Sequence, residues 1–373
     1  MKSAKIIDVS LYTPLGDTIN QVFDNLKENK SSVQYFTADY LNHPVSLSFF
    51  NKEQAKKLKQ LSKPEFHPFE SLLYTTAKEI IDRSLRDCDL KSLQVIVATT
   101  KGNIDQVENV GIDNLKIFDS VQKVCQSLKI QTKPLVVSSA CISGLSAISL
   151  ALRKLRQGNT KYALVLGADT VNAFVVSGFH SLMALSEHPC RPFDKDRRGI
   201  NIGEAGAAML LSLGEDDKSG IHILEGKITN DANHISAPSR TGNELAKAIA
   251  FCLHRSKITS SDIDFVSGHG TGTLYNDEME AKAMKVAELS NTPIHSLKPY
   301  FGHCLGAAGI LEGIILYKMM LDNTLIPSVN YQEQGTSEPL TIQKKVEHKA
   351  LKYALKTMSG FGGCNAAVLF KKY

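Results

Sequence analysis

Residues 136–150 read VVSSACISGLSAISL, and the architecture of the chain is first legible there. Pro134 precedes a short apolar run, residues 138–140 are small, and Cys141 stands where strand pattern gives way to helix pattern. Leu145, Ile148, Leu152 and Leu155 then recur at three- and four-residue spacing, the signature of one helix face. A cysteine at such a junction points its sulfur at a helix N-terminus, where unpaired N–H groups and the helix dipole favour a thiolate. Ser139, Ala140, Ser143 and Gly144 leave room for a substrate to approach. The same residues would also suit a buried structural cysteine at a tight packing point, and the local sequence leaves both readings open.

Outward from this stretch, strand and helix patterns alternate. Strands are predicted at residues 4–11, 93–99, 162–167, 207–212, 221–229, 263–267 and 366–370. Helices are predicted through residues 19–26, 66–84, 121–128, 243–254, 277–289 and 307–321, with one charged helix near 52–61 inside a weakly patterned excursion over 29–70. The nearly all-apolar strands at 93–99 and 162–167 are those expected when both faces of a sheet are covered. Strands alternating with helices imply an α/β protein with a mostly parallel sheet. The cluster GEDDKSG at 214–220 is the best boundary between two halves, 1–215 and 216–373, in which no strict sequence repeat is visible.

A chain of 373 residues suits two similar halves or one large α/β domain. A formal charge of +5 without any arginine- or lysine-rich block gives no support for nucleic-acid binding. Seven cysteines, an odd number with no CxxC pair, fit a reducing compartment. With no secretion-signal pattern and no apolar run long enough to span a membrane, a cytoplasmic protein is expected. Neither a GxGxxG after the first strand nor a GxxxxGK[ST] is present, so no nucleotide cofactor is expected.

Three glycine-rich loops accompany Cys141. In SGHGTGT (267–273), glycines flank His269 and free it to project into a cavity, while Thr271 and Thr273 supply hydroxyls. In KPYFGHCLGAAG (298–309), His303 sits just before a helix opened by small residues, a position that keeps the imidazole neutral and able to donate to a developing oxyanion. In SGFGGCN (359–365), backbone N–H groups are free to face a pocket walled by Phe361. Each loop is also compatible with an ordinary turn or close helix packing. Cys141, His269 and His303 lack the compact paired spacing of structural zinc sites, and no metal is expected.

Taken together and in this order, the loops resemble the elongating β-ketoacyl-acyl-carrier-protein synthases of the thiolase-like superfamily. The family's active cysteine matches Cys141, its two active histidines match His269 and His303, and its lysine matches Lys298. Its FGG-x-N close matches residues 361–365. Asp277 and Glu280 match supporting acids, and RPFD at 191–194 matches a further segment. The chain departs from the usual pattern at Ser359, where phenylalanine is common, at Cys364, Asn201 and Ala205, around Lys298, and in a short N-terminal part.

The resemblance implies a thiolase-like fold: two similar halves, mostly parallel sheets, and α/β/α/β/α layering. It implies a decarboxylative Claisen condensation in fatty-acid, polyketide or polyene biosynthesis. Cys141 would carry the acyl chain, with an oxyanion hole from the backbone N–H groups of Cys141 and Phe361. His269 and His303 would stabilise the enolate of a malonyl thioester, and Lys298 would organise the histidines and Glu280. Thr271 and Thr273 would hold a pantetheine arm, Phe361 would gate an acyl tunnel, and Ser359 would widen it. No cofactor is implied; the substrates ride on acyl carrier protein, with a docking patch near Arg197 and Arg198. The expected assembly is a homodimer, or a heterodimer with a second ketosynthase-like chain, paired through the strand beginning near Leu135. The alternative implied function is a non-catalytic or decarboxylase-only partner subunit of the chain-length-factor kind.

Overall fold

The computed structural model describes residues 2–214 and 218–373. The boundary expected from the sequence falls on residues 215–217, which lie outside the described residues. One sheet of ten strands runs through the molecule. In chain order these are β1 (Ala4–Tyr12), β2 (Leu93–Ala98), β3 (Leu135–Val137), β4 (Tyr162–Asp169), β5 (Ala205–Leu213), β6 (Ile221–Asn230), β7 (Phe265–Ser267), β8 (Ile294–His295), β9 (Tyr353–Gly360) and β10 (Cys364–Lys372). Their spatial order is β8-β7-β9-β10-β6-β1-β5-β4-β2-β3.

That order contains a duplication that the residues do not spell out. Strands β1–β5 fill one end of the sheet and β6–β10 the other. Within each end the order, counted along the chain, is third, second, fourth, fifth, first. The pairing senses also repeat. At each end the third, second and fourth strands pair in parallel, and the fourth, fifth and first pair antiparallel. The two ends meet antiparallel where Ala4 faces Ile223 and Lys5 faces His222.

The expectation of a mostly parallel sheet is corrected by this pattern: the sheet is mixed, and antiparallel pairs are in the majority. The reason lies partly in β9, which the sequence reading passed over because Lys356 and Thr357 interrupt its apolar run. It joins β10 through residues 361–363, where Gly362 and Gly363 take φ of 82° and 74°. A link that short closes only an antiparallel hairpin. Ser359, expected in a glycine-rich turn, therefore lies on a strand.

The helices give the layers. They are α1 (Ile19–Lys27), α2 (Lys52–Leu61), α3 (Pro68–Ser84), α4 (Ile117–Ser127), α5 (Ser143–Arg156), α6 (Ala173–Ser181), α7 (Asn243–Ser256), α8 (Leu274–Val286) and α9 (Ala308–Asp322). Helix α3 covers β1, β4 and β5 from outside, with α4 against it, while α7 covers β6 and β10 with α8 behind. Helices α5 and α9 pack on each other and touch strands from both ends of the sheet. The layering is α/β/α/β/α. Inside it, Leu145, Ile148, Leu152 and Leu155 are fully buried, as their spacing predicts.

The central helices cross with almost no side chain between them. A Cβ on Gly144 would stand 2.8 Å from the Ile310 nitrogen and 2.9 Å from the Gly309 Cα. This close crossing brings the start of α5, with Cys141, next to the loop that carries His303. Within the weakly patterned 29–70 excursion, residues 33–36 and 45–48 form a small sheet with residues 202–203. That sheet sets segment 201–203 alongside His303.

Candidate active site

Cys141 sits on a strained elbow between β3 and α5. Ala140, though not glycine, takes φ of 46°, a left-handed conformation that a small side chain tolerates best. Ser143 fixes the elbow: its Oγ donates to the Ala140 carbonyl at 2.6 Å and accepts the Ser139 N–H at 2.8 Å. Gly360 closes the other side, since a Cβ there would stand 3.0 Å from the Cys141 nitrogen. The close approach sets the Phe361 backbone N–H beside the Cys141 sulfur, where it favours the charged form.

The two histidines converge on this sulfur. A thiol from Cys141 and ring nitrogens from His269 and His303 lie within 4.8 Å of one another, although the residues are far apart in the chain. The imidazole rings meet edge to face, with centroids 5.3 Å apart and planes at 79°. Nδ1 of His269 and both ring nitrogens of His303 are buried and make no hydrogen bond within the protein. Unpaired buried polar atoms are costly, and unpaired nitrogens on two rings that line one cavity mark a place for a polar ligand atom.

The backbones behind the rings are well held. Glu280 accepts the His269 and Gly270 N–H groups at 2.7 and 2.8 Å and the Thr357 hydroxyl at 3.0 Å. Asp277 accepts N–H groups from Thr271 at 2.9 Å, Gly272 at 3.1 Å and Phe193 at 2.7 Å, tying the RPFD segment to the histidine loop. The His303 N–H donates to the Asn201 carbonyl at 2.6 Å. Asn201, a departure in the sequence, is thus part of the frame.

Lys298 is fully buried and pairs with Glu312 rather than with Glu280, the partner expected for it. Lys356 approaches the other oxygen of Glu312 at 2.7 Å. Neither Glu312 nor Lys356 was singled out by sequence reasoning. The available signal was an isolated charge inside an apolar run, ILEGII in α9 and YALKTM in β9. Although burial opposes ionisation, the two ammonium groups hold Glu312 down to about 2. Burial, reinforced by Lys298, keeps both imidazoles neutral by lowering them well below the usual histidine value. The neutral state expected for His303 is favoured by burial and nearby cations rather than by a helix terminus, since a 3₁₀ turn at Leu305–Ala307 separates it from α9.

The thiolate expected at Cys141 is corrected. Burial pushes the thiol up to about 12, and the Lys298 charge and the Phe361 N–H only partly oppose it. The resting sulfur therefore keeps its proton, with neutral imidazoles beside it. Two ammonium groups against one ionised carboxylate also make the cluster unfavourable for a divalent cation.

These groups open onto a cavity of about 360 Å³. Its lining includes Thr271, Thr273, Ser359, Phe361 and Arg198. The two threonine hydroxyls share a hydrogen bond of 2.8 Å. Ser359 faces the cavity and donates to Asn365 Oδ1 at 2.7 Å, while its neighbour Met358 points into the central core and leaves this space unfilled. Phe361 is 37% exposed and stacks on Phe179 at 5.7 Å, a partner the sequence did not suggest. Of the two arginines expected to dock a carrier, Arg197 is buried and donates to the carbonyls of Asp194 and Gly335, so only Arg198 faces the cavity.

The profile of the β-ketoacyl synthase N-terminal domain matches residues 120–216, and that of the C-terminal domain matches residues 222–332. Over 250 residues the chain is 34% identical to 3-oxoacyl-[acyl-carrier-protein] synthase 2 of Mycobacterium leprae, covering 63% of this chain and 60% of that protein. It is 31% identical over 249 residues to a putative polyketide beta-ketoacyl synthase 1 of Streptomyces halstedii, covering 62% and 59%. The chain thus spans about 60% of the length of these curated relatives. Among solved structures, a ketosynthase in complex with its chain length factor from Xenorhabdus doucetiae superposes with a TM-score of 0.86 at 24% identity, over 100% of this chain and 98% of that one. A beta-ketoacyl synthase from Burkholderia phymatum superposes with a TM-score of 0.83 at 23% identity, over the whole of both chains. Two domain profiles side by side, on a thiolase-like fold whose loops bring one cysteine and two histidines together, place the chain in the β-ketoacyl synthase family.

Proposed function

We propose that this chain is a condensing acyltransferase that joins an acyl group held on Cys141 to a malonyl unit carried on acyl carrier protein. The observation that carries the reading is the convergence of the Cys141 thiol, two neutral imidazoles with unpaired nitrogens, and the Phe361 N–H at one cavity. In the first half-reaction Cys141 Sγ attacks the thioester carbonyl. The thiol proton passes by way of a neutral imidazole to the departing pantetheine sulfur. The N–H groups of Cys141 and Phe361 receive the charge on the carbonyl oxygen.

In the second half-reaction the malonyl carboxylate leaves as CO₂ and its bonding electrons move onto the thioester as an enolate. His269 and His303 donate N–H bonds to the enolate oxygen, where a neutral ring serves without surrendering a proton outright. The α-carbon attacks the acyl carbonyl on Cys141, the C–S bond breaks with its electron pair on sulfur, and the thiolate takes up one proton from solvent, the proton that the decarboxylation consumes overall. Lys298 acts through Glu312 as a positioning residue. Thr271 and Thr273 line the way for a pantetheine arm, and Arg198 is the cation nearest a docked acidic carrier. The exposed Phe361–Phe179 stack serves as the gate. Ser359, open to the cavity, gives the acyl chamber a polar wall that suits unsaturated or oxygenated chains.

The partner is an acyl carrier protein, and the assembly a dimer of this chain or a pair with a second ketosynthase-like chain, as in the Xenorhabdus complex. A complete cysteine–histidine–histidine set supports a catalytic rather than a purely tunnel-shaping role. Incubation with acyl- and malonyl-loaded carriers, read by intact-mass spectrometry, is expected to yield β-ketoacyl carrier and CO₂. CO₂ release without any condensed product across short, long and polyunsaturated acyl groups would assign the chain to a decarboxylase-only subunit instead.

A further inference from the structure

Lys356 is a fully buried lysine in β9, near the site but with no place in the reaction described above; burial draws its amine toward the neutral form, and the Glu312 carboxylate opposes this and favours the ammonium. Its Nζ donates to the carbonyls of Ser267 at 3.1 Å, Gly268 at 2.9 Å and Thr357 at 2.9 Å, and stands 2.7 Å from Glu312 Oε2. Ser267 and Gly268 immediately precede His269. The opposite oxygen of Glu312 belongs to Lys298, which opens the loop ending at His303. A single line of polar contacts thus runs from the His269 loop through Lys356, Glu312 and Lys298 to the His303 loop. Strand β9, on which Lys356 lies, ends beside Phe361.

We propose that Lys356 is a positioning residue for the histidine pair. It fastens the His269 loop to the Lys298–Glu312 ion pair and, as the second ammonium on one carboxylate, leaves the cluster with an excess positive charge facing both rings. The inference rests on the condensing role proposed above, in which both rings rest neutral and donate to the enolate in the malonyl half-reaction. A carboxylate needs only one ammonium to be neutralised, and burying a second one is expensive unless it serves a further purpose. Here the purpose is electrostatic. An excess cation in a dry site opposes protonation of each imidazole.

The other ionisable groups packed around the rings do not replace it. Glu280 and Asp277 hold backbone N–H groups and are drawn toward their neutral forms by burial, and the Cys141 thiol is protonated at rest. His295, hydrogen-bonded to the Ile326 carbonyl and Ser267 hydroxyl, is itself held neutral, at about 4, chiefly by burial. Cys304 is driven upward by burial and carries no charge. Lys356 and Lys298 both push the two imidazoles downward.

The test separates charge from packing. Lys356→Gln retains two N–H donors without the charge, and Lys356→Met removes both. In the intact protein carrying ¹³C-labelled histidine, the two ring signals are assigned by His269→Gln and His303→Gln and titrated without turnover. Lys356→Gln is expected to raise the midpoint of at least one of the rings by about one pH unit, a tenfold change in the proton equilibrium. The acid limb of malonyl-carrier decarboxylation should move to higher pH by the same amount. Lys356→Met should show the same displacement with a greater loss of rate. Unmoved ring midpoints in Lys356→Gln, with rate lost uniformly at every pH, would overturn the proposal and leave Lys356 a packing residue. The NMR reading does not depend on activity, so a wild-type protein that releases no CO₂ would count against the proposed function and not against this inference.

Discussion

At the scale of single residues, the site is a problem of placing protons. The Cys141 thiol is raised by burial and the imidazoles are lowered by burial and cations, so the resting triad is uncharged. In the proposed function an uncharged triad would accept an apolar acyl chain without stranding a charge in the dry cavity. It also lets the histidines donate in the malonyl half-reaction, whereas in acyl loading a single neutral ring is enough to relay the thiol proton. Replacing His303 by alanine is expected to lower CO₂ release from malonyl carrier by roughly 10²–10³-fold, the scale of one lost oxyanion donor, while acyl-Cys141 still forms. Stopped acyl loading with unchanged CO₂ release would reverse the two roles. The sequence showed His269 and His303 because each sits in a loop whose glycines serve little purpose unless a side chain must be presented, Cys141 because it stands at a strand-to-helix junction, and Lys298 only through the family resemblance. It did not show Glu312 and Lys356, because a single charge in an apolar helix or strand has no spacing to recognise. Nor did it show the cause of histidine neutrality, which depends on burial by distant segments.

At the scale of elements, chemistry depends on how closely α5 and α9 cross. Gly144 and Gly309 let the two backbones touch, and the helices carry the Cys141 elbow and the His303 loop at their starts. A methyl group at residue 144 would meet backbone atoms that have no rotamer to yield with. Gly144→Ala is expected to cost about 1–3 kcal/mol in stability, read by denaturant unfolding, as overpacking of a tight core does. Condensation should fall further than folded fraction alone explains, because the thiol and His303 are pushed apart. An unchanged unfolding midpoint with full activity would show that the crossing is slack. Most helices were legible from apolar periodicity, and α5 is the clearest case. Strand β9 was not, since its two buried polar residues face partners supplied only by the fold. The senses of strand pairing were equally hidden, because they are fixed by connections such as the turn at 361–363 and not by any strand's own residues.

At the scale of the whole molecule, two copies of one five-strand pattern fold around α5 and α9 and share a site at their meeting. The repeat is invisible in the residues because each copy has kept its strand order while acquiring different side chains. At the far end of the sheet, β3 presents an open, half-buried edge directly before Cys141. Pairing across that edge would bury it and support the elbow, so light scattering is expected to report twice the 40.8 kDa chain mass, or one chain with a similar partner. A fully active 40.8 kDa species would contradict that assembly. Everything else in the account depends on which sulfur holds the acyl group. The most direct measurement is peptide mapping by mass spectrometry after incubation with acyl-loaded carrier protein. The account predicts one acyl mass on the peptide containing Cys141, lost in Cys141→Ala; an acyl group on Cys304 or Cys364 with Cys141 unmodified would contradict it.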